Sequence, residues 1–150
     1  MYSFPHTANE RHAEVCTKGD KMPSQVSMGA MLKCTMGAAP SPLMVLPANK
    51  VTCEGPPAAN IMDHKPMVNI MPFGVCMSPA NPVVAAATAA ALGVLTPMPC
   101  IPATAAPWIP GAPTVLIGGM PALDNVSKCM CNWAGVIMIT FPATVKTMIP

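Results

Sequence analysis

Two copies of one short motif set the strongest limit on how this chain can fold. The pattern Val-x-x-x-Gly-x-Pro-Ala occurs at residues 51–58 and again at 115–122. In each copy, a run typical of a strand reaches a glycine that allows a tight reversal, and then a proline that cannot join the interior of a sheet. The motif therefore predicts a short strand, a corner and an extended return, formed twice along the chain.

The proline content favours short strands and loops over long elements. Twenty of the 150 residues are proline, and each proline removes a backbone donor from a helix or a sheet. The one good helix candidate starts at Asn81-Pro82, an N-cap followed by a favoured first helical residue, and its alanine run ends near Gly93. A chain of this length suits one domain. We therefore expect one mainly β domain with a short alanine-rich helix at about 82–93.

Charged residues are scarce in this chain. They make up 9% of the residues, apolar residues make up 52%, and the net charge is +2, whereas about a quarter of an average chain is charged. A surface with so little charge is expected to be covered by a partner. The small net charge and the lack of a Lys/Arg cluster argue against nucleic acid binding. Acids, bases and hydroxyl nucleophiles are also sparse, so we do not expect an enzyme.

The N-terminal region, residues 1–27, is predicted to be an extension that is flexible or lies along a partner. It is polar where the apolar centre of a secretory signal would lie, which predicts no signal peptide and synthesis in a reducing cytosol. The most apolar stretch, residues 83–95, is shorter than the ~20 residues that a bilayer span needs. His6, His12 and Cys16 fall in the extension and are expected to be solvated rather than bound to metal.

Seven cysteines are the main chemistry-bearing side chains. An odd number cannot all pair within the chain, and a reducing cytosol favours metal binding over disulfides. No Cys-x-x-Cys pair is present, so spacing alone is a weak guide and a redox role of that type is not indicated. Position along the chain says more, because four cysteines border a repeat unit or the final apolar strand. These are Cys34, Cys76, Cys100 and Cys131.

The remaining candidates leave alternatives open. Cys129 competes with Cys131, because residues two apart face the same way on a strand. Cys53 takes the place in the first repeat that Ile117 takes in the second, which predicts a small buried apolar residue. His64 is expected to be solvated on a polar turn. The 15 methionines have no metal-binding spacing and are expected to fill an irregular core. Buried thiols without any metal remain the alternative for all the cysteines.

Six further motifs stand beside the two repeat units: LKCTMGAAPSP at 32–42, PFGVC at 72–76, NP at 81–82, LTPMPC at 95–100, WIPG at 108–111 and CMCNWAG at 129–135. Together with the repeats they resemble the proline-alanine-alanine-arginine (PAAR) repeat fold, and most closely its PAAR-like relatives, long catalogued as a domain of unknown function. The resemblance covers about residues 28–141 and leaves 142–150 as a C-terminal tail. Asn60 and Asp124 replace the arginine that ends the name-giving repeat, so no role is transferred to that arginine.

The resemblance implies a small conical β-structure that caps and sharpens the trimeric central spike of a contractile injection system. Such systems include type VI secretion machines and phage-tail-like particles. In relatives a metal ion near the vertex, zinc or iron, holds the strands together. On this basis zinc is the expected metal, with iron as the alternative. The expected metal ligands are Cys34, Cys76, Cys100 and Cys131.

The resemblance also implies where the protein acts and with what. The expected partner is the trimeric spike protein at the broad base of the cone, and effector cargo is a further candidate. Assembly would take place at the spike tip, with delivery outside the cell, and the target membrane would be contacted only on injection.

Other functional classes compete with this interpretation. A redox or metal-storage protein would leave the repeats unexplained, and an appended toxin domain would not fit in the nine residues after position 141. The main alternative is a small cysteine-rich metal-binding or effector-adaptor protein without a piercing role.

Overall fold

The computed structural model describes residues 23–149, so the predictions for His6, His12 and Cys16 lie outside the described residues. The fold is mainly β, with small antiparallel sheets and one short helix, as the sequence predicted. The elements, in chain order, are β1 (Met31–Cys34), β2 (Ser41–Pro42), a 3-10 helix (Pro47–Asn49), β3 (Val75–Cys76), α1 (Pro82–Ala90), β4 (Met98–Pro99), β5 (Ala112–Ile117), β6 (Met120–Ala122), β7 (Lys128–Cys131) and β8 (Gly135–Phe141).

The largest sheet has four strands in the order β2-β1-β8-β7. Strand β8 pairs antiparallel with β1 on one edge and with β7 on the other. Because β8 contains no proline, all of its backbone donors are available for these two neighbours. Strands β3 and β4 form a second sheet, and β5 and β6 form a third.

Helix α1 starts where the sequence predicted and ends earlier. The side chain of Asn81 accepts the backbone N–H of Val83 at 3.0 Å, with Pro82 at the first helical position. The helix ends at Ala90 because Leu92 and Gly93 both take positive φ angles, of 57° and 91°, which reverse the chain. This left-handed conformation at the end of a helix is a common C-cap.

Both repeat units form the predicted corner and return, and the second also forms the predicted strand, whereas the first is paired only by the isolated bridge of Thr52 with Pro57. The second unit supplies β5 and β6, whose residues Ile117 and Met120 are partners across the turn. In the first unit, the N–H of Cys53 donates to the carbonyl of Pro56 at 3.0 Å. Cys53 and Ile117 are buried in the same small core cluster, so the expectation that Cys53 acts as a buried apolar residue is confirmed.

Three extended segments meet in a closed ring of backbone hydrogen bonds, which we call the axial ring. The N–H of Val26 donates to the carbonyl of Leu123 at 2.9 Å, that of Leu123 to Ala59 at 3.0 Å, and that of Ala59 to Val26 at 2.9 Å. The side chains of all three residues are fully buried. Because each segment donates to one neighbour and accepts from the other, the ring has approximate threefold symmetry within a single chain.

The same symmetry continues in the chain after the axial ring. Each segment enters a turn directly after its ring residue. In each turn an N–H four positions after the ring residue donates to the carbonyl one position after the ring residue, at 3.1 to 3.2 Å. The three donor and acceptor pairs are Ala30 with Ser27, Asp63 with Asn60, and Ser127 with Asp124. The fold therefore contains three related units, although the sequence motif occurs only twice.

The third unit is built from both ends of the described chain. The N–H of Ile149 donates to the carbonyl of Pro23 at 2.8 Å, which matches the bond from Cys53 to Pro56 in the first unit. Ile149 also joins Cys53 and Ile117 in the small core cluster, so all three units contribute to it. The domain boundaries therefore differ from those expected, because residues 24–27 and 142–149 pack into the body rather than lying outside it.

Candidate metal centre

Cys34 and Cys131 occupy equivalent places in two of the three units. Each lies eight positions after its residue in the axial ring, Val26 and Leu123 respectively. Cys34 ends β1 and is the partner of Ile137 on β8, and Cys131 ends β7 and is the partner of Gly135 on the same strand. Because both neighbours of β8 end here, the two cysteines reach the same end of the sheet.

Gly135 provides the space into which the two cysteine side chains converge. A Cβ atom added to Gly135 would lie 2.7 Å from the Cys34 sulfur and 3.5 Å from the Cys131 Cβ. The Cys34 sulfur therefore occupies the position that any larger residue at 135 would need. Gly37 has a related role, because a Cβ there would lie 3.2 Å from the Cys34 Cβ.

Cys76 and Cys100 reach the same region from the small sheet of β3 and β4. Cys76 bridges to Gly37 and is also the partner of Met98 on β4. The N–H of Cys100, just after β4, donates to the carbonyl of Gly74 at 2.8 Å. This sheet thus attaches to the turn that follows Cys34 and carries two further thiols to it.

The thiols of the four cysteines lie near enough to influence one another's ionisation. Burial is the main cause of a raised pKa at the Cys34 thiol, and negative charge on Cys131 or Cys76 would raise this pKa further. Hydrogen bonds from the backbone of Met36 and Gly37 partly offset the rise. Burial likewise raises the pKa of Cys100, with the thiolates of Cys76, Cys34 and Cys131 adding to the effect and the backbone of Phe73 opposing it. Such repulsion falls off with distance. We call these four residues the thiol cluster.

The donor set of the thiol cluster suits a thiolate-binding metal. Four thiolates form a closed structural zinc site, with zinc–sulfur distances of about 2.3 Å, and backbone N–H groups near Cys34 and Cys100 stabilise the charged form. A cation would also remove the mutual repulsion of the thiolates. Within residues 23–149, no three His, Cys, Asp or Glu side chains are arranged closely enough to hold a metal ion. The four sulfur atoms would therefore have to come closer together to bind one ion.

Cys129 lies on the same face of β7 as Cys131 but in a different environment. Its thiol is fully buried and donates to the carbonyl of Ala106 at 3.5 Å. Burial, with a contribution from the Cys131 thiolate, raises the pKa of Cys129 to about 12. Cys129 is thus a neutral, hydrogen-bonded core thiol, and the geometry favours Cys131 as the member of the thiol cluster.

His64 differs from its expected solvated state. It is half-buried, its backbone carbonyl accepts the hydroxyl of Thr104, and its Nδ1 is buried without a hydrogen-bond partner among the described residues. Sequence reasoning also did not identify the role of Gly135 beside the cluster. The signal was present, because the CMCNWAG motif contains a Cys-x-x-x-Gly pattern, Cys131 to Gly135, that is part of the family resemblance.

The fold and this site define a class of protein: a small, mainly β body with internal threefold symmetry and four buried cysteines at one end. The chain belongs to the family described as domain of unknown function DUF4280, whose profile matches residues 26–143. No curated protein and no solved structure matches it.

Proposed function

We propose that this protein is the structural tip of a contractile injection apparatus, where one copy caps a trimeric spike. The observation that supports this most is the axial ring. A single chain can sit on the end of a threefold trimer without a symmetry mismatch only if its own contact surface is close to threefold, and the three units supply such a surface.

The direction of the three units indicates which end would meet the spike. Each unit runs from a hairpin turn, through the axial ring, and on toward the region of the thiol cluster or the strands leading to it. The turns at Cys53–Pro56 and Ile117–Met120, with the paired chain ends, thus lie at the opposite end from the cluster. We assign this hairpin end to the spike and the thiol cluster to the free, pointed end.

In this proposal the metal has a structural role at the pointed end. Cys34, Cys76, Cys100 and Cys131 would hold it, with zinc as the expected ion and iron as the alternative. A metal cross-link adds rigidity where too few residues remain to form a core. No catalytic residue is assigned. Force from the contracting apparatus would act through a stiff point, and cargo would have to bind noncovalently.

The proposal is tested by mixing the full chain with a candidate trimeric spike protein from the same cell and measuring the complex by native mass spectrometry. We expect one copy per trimer. Leu116, 61% exposed next to the turn of the second unit, is placed in the contact, so Leu116→Glu should weaken the complex. Leu92→Glu, on the side of the thiol cluster, is the matched control and should not. Binding of three copies per trimer, or no binding, would favour a metal-binding or adaptor protein without a piercing role.

A further inference from the structure

Residues 77–99, which we call the helical insert, form an excursion from the pointed end. The insert leaves the body at Cys76 and returns at Cys100, both members of the thiol cluster. Its two ends are held together by the pairing of β3 with β4. The insert contains α1 and the reversal after it, and therefore lies beside the proposed metal centre.

The surface of the helical insert is unusually apolar. Only Val84 of helix α1 is buried, and the chain reversal that follows exposes Leu92 by 96%, Val94 by 68% and Leu95 by 50%. An apolar groove of about 350 Å³ lies at the other end of the helix, between Val83, β4, Ile101 and Trp133. Exposed apolar surfaces of this kind mark interaction sites on soluble proteins.

No charge lies within or near the insert in the sequence. Between Lys65 and Asp124 the chain contains no Asp, Glu, Lys, Arg or His. A partner recognised through ion pairs would find none of the groups it needs on the insert itself. The absence of charge favours an uncharged partner surface.

The polar side chains of the insert are already used internally. Asn81 accepts the N–H of Val83, the hydroxyl of Thr88 accepts the N–H of Thr96, and the hydroxyl of Thr96 donates to the carbonyl of Val94. The hydroxyl of Ser78 donates to the carbonyl of Trp133. No other side chain of the insert carries an oxygen or nitrogen atom.

Part of the backbone of the chain reversal is hydrogen-bonded within the insert as well. The N–H of Gly93 donates to Thr88 at 2.9 Å, and the N–H of Val94 donates to Ala91 at 3.2 Å. The indole N–H of Trp133, beside the groove, donates to the carbonyl of Ile101 at 3.0 Å. A protein partner normally forms about one hydrogen bond per 100–200 Å² of interface, whereas hydrocarbon requires polar groups to be satisfied internally. The internal bonds of the insert's polar side chains fit the second environment.

We infer that the helical insert is a lipid-contacting surface whose residues Leu92, Val94 and Leu95 enter the hydrocarbon of a membrane. The inference rests on the proposed function, because it names the chemistry that the pointed end meets. In residues 23–149 no helix is long and apolar enough to cross a bilayer, so the contact is shallow. Since the insert carries no charge, binding requires neither anionic lipids nor low salt.

The test measures co-sedimentation of the purified full chain with neutral phosphatidylcholine vesicles. Binding is expected, with little change on adding salt or anionic lipid. The double variant Leu92→Gln/Leu95→Gln should bind about tenfold or more weakly, because two large apolar side chains lose their burial. Leu116→Gln, which changes an exposed leucine (61%) at the hairpin end, is the control and should bind like the wild type. Equal melting temperatures of the variants exclude unfolding as the cause.

Three results would overturn the inference: no vesicle binding by the wild type, equal losses in the Leu116→Gln control, or binding that disappears when salt is raised. Self-association that the Leu92→Gln/Leu95→Gln variant abolishes, without vesicle binding, would assign the surface to a second copy of the chain. The capping experiment is independent. A variant that loses vesicle binding but still caps a trimer supports both ideas, and a wild type that binds vesicles but caps no trimer refutes only the proposed function.

Discussion

Cys129 and Cys131 lie two positions apart on β7, but their side chains have different surroundings. Cys131 lies beside Gly135 and the sulfur of Cys34, whereas Cys129 lies deeper and donates to the carbonyl of Ala106. Their shared face of the strand does not separate them in the sequence, and only the Cys-x-x-x-Gly spacing implied by the family resemblance favours Cys131. Their environments do separate them, since only Cys131 is close to the other thiols of the cluster. Those thiols could lose their protons together on binding a cation.

Replacement of each of these cysteines by serine should therefore have different results. Cys131→Ser should reduce the bound metal per chain and lower the melting temperature together, because it removes one of the four ligands. Cys129→Ser should leave the metal content unchanged and lower stability only through packing. Elemental analysis and thermal unfolding of both variants check this. Unchanged metal content in Cys131→Ser, or loss in Cys129→Ser alone, would contradict the assignment of the thiol cluster.

The raised pKa of Cys129 predicts a dependence of stability on alkaline pH. In the unfolded chain the thiol ionises near its ordinary pKa of 9.0, whereas in the folded protein it stays neutral up to about pH 12. Ionisation therefore favours the unfolded state between these values, and stability should fall by up to about 1.4 kcal/mol per pH unit. Denaturant unfolding from pH 8 upward, in wild type and Cys129→Ser, measures the difference. The variant should lose less stability than the wild type, and equal slopes would refute the buried neutral thiol.

At the scale of elements, the C-terminal segment is held by one side chain from the first unit. The carboxylate of Glu54 accepts the backbone N–H groups of Val145, Lys146 and Thr147, at 2.8 to 3.3 Å, and also the hydroxyl of Thr147. The N–H of Lys146 is the main cause of a lowered pKa at Glu54, and the other donors add to it. This contact links the first unit to the C-terminal segment that completes the third unit.

Glu54→Gln should loosen this segment, because a neutral amide accepts these hydrogen bonds less well than a carboxylate. Amide hydrogen exchange at residues 145–147 should become faster, while exchange at the axial ring stays slow. Since the pKa of Glu54 is lowered by folding, its contribution is present above the ordinary pKa of 4.5 and is lost as the pH falls through the folded value. In acid the wild type should approach the variant. Unchanged exchange in Glu54→Gln at neutral pH would show that the carboxylate does not hold the segment.

The elements differ in how far the sequence predicts them. The two repeat units and the start of α1 follow from local chemistry: a glycine that turns, a proline that ends a strand, and an asparagine that caps a helix. The third unit does not, because Val26 and its neighbours share no motif with the repeats. Its symmetry is carried by backbone hydrogen bonds, which do not depend on side-chain identity. The thiol cluster was expected from family resemblance, and no spacing in the sequence brings its four members together.

For the whole molecule, the bond from Ile149 to Pro23 makes the body a nearly closed ring of three hairpin units. The ends of the described chain lie where the other two units have two-residue turns, Glu54-Gly55 and Gly118-Gly119. Where the termini are close together and at an exposed turn, a chain can be reopened elsewhere with little loss of stability. The stability of the threefold body should therefore not depend on which of its three turns is open.

A circular permutant tests this prediction. Residue 149 is joined to residue 23 through Gly-Gly, and the chain is opened between Glu54 and Gly55. The product should fold with a melting temperature within a few degrees of the wild type and retain the same metal content, although the new ends weaken the contact of Glu54 with residues 145–147. The matched control has the same join but is opened between Ile137 and Met138, in the middle of the central strand β8, and should not fold. Failure of the first permutant with a folded control would show that the third unit is not equivalent to the other two.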